Sequence, residues 1–210
     1  MAEASETFLT TDEQTRLAAA IARAEAGTAG EIRVVLSTRP LTDHAFHALM
    51  WAAIIALVIP WPLAFLMPVG VAALLAFQAG SFLLLGAMLA FTPLGRRCVP
   101  AVVERAAARK AALDHFLGFG IHQTRDRTGV LIFIALPEHR VEVVADEAIH
   151  AHVGTHAWED VCTRVLAGAR AGRLAEGIEA GIAEAGRLLA KHAPRGEVDA
   201  DELPDRVVIL

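Results

Sequence analysis

One uninterrupted apolar block dominates the hydropathy pattern of the chain. Residues 44–95 contain no Asp, Glu, Lys or Arg. As one continuous helix the block would be about 78 Å long, against about 30 Å for the hydrocarbon core of a bilayer. The block is apolar on every face, whereas a surface helix of a soluble domain is apolar along one stripe. The pattern therefore predicts two membrane-spanning helices joined by a turn.

Three prolines mark the predicted turn of this hairpin. They lie within residues 60–68, near the centre of the block, and proline disfavours a continuous helix. The predicted spans are then 44–62 and 68–92, and the transmembrane hairpin as a whole is 44–92. The alternative is a pair of buried core helices in a soluble protein, but the remaining polar chain is short for wrapping them.

The sequence on both sides of the hairpin has the patterns of a soluble α/β domain. Residues 1–43 and 93–195 are its two parts, and a Pro- and acid-rich tail follows at 196–210. Apolar spacing predicts the order helix, strand, helix, strand, strand, helix, helix. The predicted strands are 31–37, 129–136 and 141–145, and the predicted helices follow Thr10, follow Pro100, and cover 156–170 and 173–192. This order predicts a central sheet covered by helices on both sides.

Local signals support several of these elements. Thr10 and Glu13 have the spacing of a capping box at the start of the first helix. The run at 129–136 is apolar at nearly every position, which indicates a strand buried on both faces. A short turn separates it from 141–145, so these two strands are predicted to form an antiparallel hairpin.

We also expect the first strand to join the same sheet despite the intervening hairpin. The side chains of Val34, Leu36, Leu131 and Phe133 are then expected to lie buried in one core. The C-terminal Val-Val-Ile-Leu sequence is left open between pairing with a sheet edge and lying on the surface.

Charge and cysteine content limit the classes of function. The net charge is −5 at pH 7, whereas nucleic-acid binding favours a basic face. The two cysteines, Cys98 and Cys162, are far apart in sequence and indicate no disulfide framework. We therefore expect no nucleic-acid partner, and we expect the lipid bilayer to be the main surroundings of the hairpin.

The distribution of basic residues predicts the orientation of the hairpin. Arg39 precedes the first span, and the connecting turn carries no basic residue. The second span is followed by Arg96, Arg97, Arg105, Arg109 and Lys110. By the positive-inside rule the soluble domain and both termini are cytoplasmic. The N-terminal sequence has no signal-peptide pattern, which agrees with that orientation. The predicted location is the bacterial inner membrane, as a multi-pass protein.

Several motifs in one order resemble the TPM domain family. TAGEIRVVL at 28–36 resembles the first strand of that family. RTGVLIFIAL and HRVEVVADEAIHAHVG, within 127–154, resemble its central hairpin and the turn that follows. GRLAEGIEAGIAEAGRLLAKH at 172–192 and ELPD at 202–205 complete the pattern. The hairpin is inserted between the first strand and the second helix of the soluble domain, which is similar to its position in a bacterial membrane-bound branch of that family.

The resemblance implies an α/β/α sandwich but no single activity. Some plant thylakoid relatives are described as acid phosphatases, and animal relatives act as auxiliary proteins of receptors without catalysis. Divalent-metal binding through acidic residues is reported for some members. Bacterial relatives occur beside LemA-type membrane proteins, which makes a LemA-type protein a possible partner by resemblance.

Glu31 and Asp146 match family positions and are the candidate metal ligands. Glu31 opens the first predicted strand, and Asp146 follows the last one. Carboxylates at strand ends supply the hard oxygen ligands that Mg²⁺ and Ca²⁺ prefer. A shared shallow site is predicted there, with Glu147 or Asp126 as further ligands. The alternative is that Glu31 and Asp146 cap helix ends or form surface pairs.

Other candidate chemistry is weaker. The spacing of His150, His152 and His156 fits no structural zinc motif. The chain has no G-x-S-x-G sequence, no P-loop lysine motif and no aspartyl-phosphate signature. The leading hypothesis is therefore a non-catalytic accessory or interaction module of a membrane complex. The alternative is a divalent-metal-dependent phosphatase that acts near the membrane surface.

Overall fold

The structure, a computed structural model, describes residues 8–154, 156–195 and 203–210. Within these ranges the α-helices are α1 (Thr11–Glu25), α2 (His44–Val58), α3 (Pro60–Leu66), α4 (Val71–Phe91), α5 (Ala101–Gly118), α6 (Glu147–Val153), α7 (Ala157–Arg170) and α8 (Leu174–His192). The strands are β1 (Ile32–Ser37), β2 (Val130–Ala135), β3 (Arg140–Ala145) and β4 (Val207–Ile209). Of the predicted tail, residues 196–202 lie outside the described part of the chain.

The chain divides into two compact units. The sheet unit comprises Met1–Leu41 and Ala106–Leu210, and the hairpin unit comprises Thr42–Arg105. The hairpin unit is thus an insertion between β1 and the rest of the sheet unit.

The four described strands form one mixed sheet in the order β3-β2-β1-β4. β1 pairs in parallel with β2, from Ile32 opposite Val130 to Ser37 opposite Ala135. β2 and β3 form the predicted antiparallel hairpin. β4 pairs in parallel with β1, so the C-terminal sequence forms an edge strand. The predicted α/β fold class and the shared sheet of the first and second strands are confirmed.

Helices cover both faces of this sheet, but the predicted single core is wrong. Val34 and Leu36 pack with α1, α7 and α8 on one face. Leu131 and Phe133 pack with α5 on the opposite face. In a parallel pair, partners in register point to the same side and successive residues alternate. Val34 lies opposite Ile132, so Leu131 and Phe133 necessarily face the other way.

Local sequence sets the start of α1 as predicted. Glu13 Oε2 accepts a hydrogen bond from the backbone N–H of Thr10 at 2.8 Å. In return Thr10 Oγ1 accepts from the backbone N–H of Glu13 at 3.3 Å. This reciprocal pair is a capping box. The apolar face that starts here buries Leu17 and Ile21 against the sheet.

Glycines allow α7 and α8 to approach closely. A Cβ atom built on Gly168 would lie 2.4 Å from the Cα of Gly177. A Cβ on Gly177 would lie 2.8 Å from the Cα of Gly168 and 2.8 Å from the carbonyl oxygen of Val165. The two backbones therefore touch at this crossing, and no larger residue fits without displacing one helix.

The hairpin unit contains two stretches that are long and apolar enough to cross a membrane, His44–Leu66 and Val71–Phe91. Only 18% and 11% of their most apolar windows are buried inside the structure. The predicted turn within 60–68 is displaced. Helix α3 covers Pro60–Leu66, and the non-helical link begins at Met67 and ends at Gly70.

The displacement has a physical reason. Pro60 is the first residue of α3, a position where the missing N–H of proline removes no helical hydrogen bond. Pro62 also lies in the first turn, where N–H groups lack intrahelical partners. Pro68 lies two residues after the end of α3, within the non-helical link.

Helix α6 has no counterpart among the predicted elements, which pass from the strand at 141–145 directly to the helix at 156–170. The segment is helical, and Asp146 is its N-cap residue. His150 and His152 both lie in its last turn. Seven residues are too few for apolar periodicity to reveal a helix, so the cap was the only available signal.

Candidate functional site

Glu31 and Asp146 lie at the same end of the sheet. Glu31 immediately precedes β1, and Asp146 immediately follows β3. The backbone N–H of Val130 donates to the carbonyl of Glu31 at 2.8 Å, and that of Asp146 donates to the carbonyl of Gly129 at 2.9 Å. Because β2 lies between β1 and β3, two strand spacings separate their backbones, which is about 10 Å.

The side chain of Glu31 lies in a small acidic cavity. Glu31 is 8% exposed, and its Oε2 accepts a hydrogen bond from the backbone N–H of Leu203 at 3.3 Å. The cavity has a volume of about 170 Å³. It is lined by Ala22, Glu25, Ala26, Thr28, Glu31, Arg195 and Asp205. Asp146 is absent from this lining, so the cavity does not join the two predicted ligands.

Glu25 is a carboxyl group of this cavity with a strongly raised pKa. Burial raises its pKa to about 9, and the hydrogen bond with Asp205 and the charges of Glu31 and Asp205 act in the same direction. The hydrogen bond that its Oε1 accepts from the N–H of Ile32, at 2.6 Å, opposes the shift. Glu25 therefore carries a proton at neutral pH, and it links the end of α1 to the segment that leads into β4.

Sequence reasoning missed Glu25 and Asp205 as members of this cluster. Glu25 is the last residue of α1, and nothing in the sequence around it distinguishes it from an ordinary residue at a helix end. Asp205 lies far along the chain, and only the parallel pairing of β4 with β1 brings it to Glu31. The acidic ELPD sequence at 202–205 belongs to the family resemblance. The positions of these residues along the sequence do not show which side chains lie near them in the fold.

Asp146 has a structural role that matches the alternative considered for it. It is 5% exposed, and its Oδ1 accepts a hydrogen bond from the N–H of Glu147 at 2.7 Å, which caps α6. Arg127 Nε lies 3.6 Å from the same oxygen. The second oxygen, Oδ2, is buried without a hydrogen-bond partner. A buried carboxylate oxygen left in this state is costly, and a hard cation would satisfy it.

The other two predicted ligands are solvent-facing. The side chain of Glu147 is 82% exposed and lies 3.6 Å from Arg127. Asp126 is exposed. Within residues 8–154, 156–195 and 203–210, no group of three or more His, Cys, Asp or Glu side chains is arranged to hold a metal ion. The shared site of Glu31 and Asp146 stays a prediction.

A second concave surface lies between α1 and α8. This groove, which we call the alanine groove, has a volume of about 700 Å³. It is lined by Ala20, Arg23, Ala24, Gly27, Glu176, Glu179, Ala180, Ala183, Gly186, Arg187 and Ala190. An ion pair between Arg16 and Glu179, at 2.9 Å, also joins the two helices. The described lining combines the small side chains of alanine with four charged residues, and among these lining residues there is no nucleophile with an adjacent base.

Comparison with known proteins agrees with this fold. A sequence profile described as TPM domain matches residues 99–188. Among solved structures, the NMR structure of BA42 protein from the psychrophilic bacterium Bizionia argentinensis matches with a TM-score of 0.61 and 22% sequence identity. That alignment covers 96% of this chain and 95% of the other. No curated protein sequence gives a significant match.

Proposed function

We propose that the chain, whose residues 99–188 match the TPM domain profile, is a membrane-anchored accessory module. Its hairpin unit anchors it in a bacterial inner membrane, and its sheet unit recruits or supports a membrane complex without catalysis. The observation that carries this proposal is the insertion of two charge-free, largely exposed helices into one folded sheet unit.

The pairing of β1 with β2 constrains the topology. β1 precedes the hairpin and β2 follows it, yet the two strands share one sheet. Both halves of the sheet unit therefore lie on the same side of any membrane, which requires an even number of spans. The basic residues Arg96, Arg97 and Arg105 that follow α4 favour the cytoplasm as that side. Both termini are then cytoplasmic.

The alanine groove supports an interaction role for the sheet unit. Small side chains leave space beside α1 and α8, and residues of both charge signs, such as Arg23 and Glu176, also line that space. Protein interaction surfaces typically combine apolar area with polar and charged residues. By family resemblance, the proposed partner is a LemA-type membrane protein.

Co-purification with a LemA-type protein of the same organism tests this role. The tagged full-length chain should retain it in mild detergent. Ala183→Arg places a long charged side chain in the groove at an exposed position and should abolish retention without lowering the melting temperature. The matched control Ala171→Arg changes an exposed alanine outside the groove and should retain the partner. Equal retention by both variants would contradict the groove as the interaction surface.

A divalent-metal-dependent phosphatase that acts near the membrane surface is the second candidate. The unpartnered Oδ2 of Asp146 favours it, because Ca²⁺ or Mg²⁺ would satisfy that oxygen. Phosphatase activity of the purified full-length chain should then require added Mg²⁺ or Ca²⁺. It should be absent from Asp146→Asn and from Glu31→Gln.

A further inference from the structure

We infer that the hairpin unit contains a binding site for one anionic phospholipid, with an acyl chain in an apolar pocket and the phosphate on Arg97. This inference rests on the membrane anchoring proposed above and adds a specific ligand to it. The pocket belongs entirely to the hairpin unit and lies where the chain turns back after α4.

The pocket has the size and lining of a lipid site. Its volume is about 520 Å³, which is within the range of small-molecule sites. It is lined by Trp51, Ile55, Leu89, Leu94, Arg97, Cys98, Val99 and Pro100. Helix α2 supplies two of these residues and α4 supplies one, so the lining joins both candidate spans to the segment after them. A hydrocarbon chain would cover this apolar wall.

The short 3₁₀ helix Pro93–Cys98 supplies Leu94, Arg97 and Cys98 to the lining. Gly95 permits this close return, because a Cβ atom there would lie 2.0 Å from the carbonyl oxygen of Leu89 and 3.4 Å from the ring of His44. The segment therefore packs against the start of α2 and the end of α4. Val99, at its end, is buried.

The charge of the site selects an anionic ligand. Among the described residues that line the pocket, only Arg97 is charged, and it is exposed at the surface. The acidic residues of the hairpin unit, Asp43 and Glu104, are absent from the lining. Asp43 instead caps α2 by accepting from the N–H of Ala45 at 2.9 Å. A guanidinium group binds phosphate oxygens through two parallel hydrogen bonds.

The pocket lies close to the end of a candidate membrane span, where lipid headgroups are expected. Arg96 and Arg97 are the first charged residues after the apolar block, and they follow the end of α4 by only a few residues. A phospholipid offers both required parts, a long apolar chain and a phosphate, at the boundary between hydrocarbon and water. Trp51, whose ring combines an apolar body with an N–H donor, suits that boundary.

Native mass spectrometry of the full-length protein released from detergent micelles tests the site. With added phosphatidylglycerol, the wild type should retain one lipid per chain, and phosphatidylcholine should be retained less. Arg97→Gln removes the charged hydrogen bonds and should weaken retention about tenfold. The matched control Arg96→Gln removes the neighbouring charge, which does not line the pocket, and should retain lipid as the wild type does.

Three outcomes would overturn the inference. Equal loss in both arginine variants would indicate general surface attraction, and no retention in the wild type would remove the site. Displacement of the lipid by lower concentrations of oleic acid would assign the pocket to a fatty acid. Resistance of the protein to alkaline extraction from membranes is measured in parallel. Extraction of the protein by alkali would contradict the anchoring proposal. A protein that stays in the membrane but binds no lipid would contradict only this inference.

Discussion

Val34 lies directly opposite Ile132 in neighbouring parallel strands, although the entire hairpin unit separates the two residues along the chain. Both side chains are fully buried in the same core. The sheet unit is therefore completed only when the chain returns from the hairpin. In this arrangement the hairpin is a long connection between paired elements and contributes no strand to the sheet.

Deletion of the hairpin should leave a folded domain. We expect replacement of residues 44–95 by a short Gly/Ser linker to give a soluble, monodisperse protein, because the described core of the sheet unit is retained. The free-energy cost of closing a loop changes only slowly with its length. Denaturant unfolding followed by circular dichroism should show one cooperative transition. Aggregation without such a transition would count against the independent sheet unit.

The crossing of α7 and α8 should not tolerate a larger residue. Gly177→Ala introduces a Cβ atom 2.8 Å from backbone atoms of Gly168 and Val165. We expect a loss of about 1–3 kcal/mol in the free energy of unfolding, the usual cost of overpacking. Gly27→Ala is the control, because no heavy atom lies within 4 Å of the added Cβ. A loss there above about 0.5 kcal/mol would show that the effect is not steric.

The protonated state of Glu25 predicts a specific pH dependence. Its pKa is about 9 in the folded protein and 4.5 as the reference for the unfolded chain. Between these values the folded state holds one more proton than the unfolded state. The contribution of Glu25 to stability is therefore complete below pH 4.5 and is lost progressively as pH rises to about 9.

Glu25→Gln should remove this dependence. The amide keeps an oxygen for the N–H of Ile32 and is neutral at every pH. We expect the variant to be more stable than the wild type at pH 8 and to show a flatter profile between pH 5 and pH 9. Asp12→Asn, at an exposed position, should leave the slope as in the wild type. Parallel profiles for wild type and Glu25→Gln would refute the assignment.

The second candidate function predicts metal-dependent stabilisation. If Asp146 and Glu31 bind Ca²⁺ or Mg²⁺, millimolar ion should raise the melting temperature of the hairpin-deleted domain, because a ligand specific to the native state stabilises it. Asp146→Asn should abolish the rise while still capping α6, since Asn caps helices as well as Asp does. Calorimetry with and without EDTA measures the shift. A melting temperature indifferent to both ions would leave only the capping role.

Sequence patterns predicted most of the fold because its strongest elements have strong local signals. The run Val130–Ala135 is apolar at each position, and the capping box at Thr10 locates α1. The face of each strand was harder to predict. It depends on the register between β1 and β2, which local composition does not fix. For that reason Val34 and Phe133 were assigned to one core although they lie on opposite faces.

The candidate site was less predictable than the fold. Asp146 was identified as a strand-end carboxylate, and its cap of α6 was one of the alternatives considered. The cluster of Glu31 with Glu25 and Asp205 depends on the pairing of β4 with β1 and on the burial of Glu25. Neither condition follows from the spacing of acidic residues. Desolvation is a property of the folded environment, so sequence alone could not predict the raised pKa of Glu25.

Topology mapping of the full-length protein tests the central claim most directly. Reporter fusions at the N-terminus, within residues 64–67 and at the C-terminus distinguish the two sides of a bacterial inner membrane. We expect cytoplasmic, periplasmic and cytoplasmic signals in that order, because both halves of one sheet must share a side and the basic residues favour the cytoplasm. A periplasmic C-terminus, or a cytoplasmic signal from residues 64–67, would contradict a hairpin that anchors a cytoplasmic TPM domain.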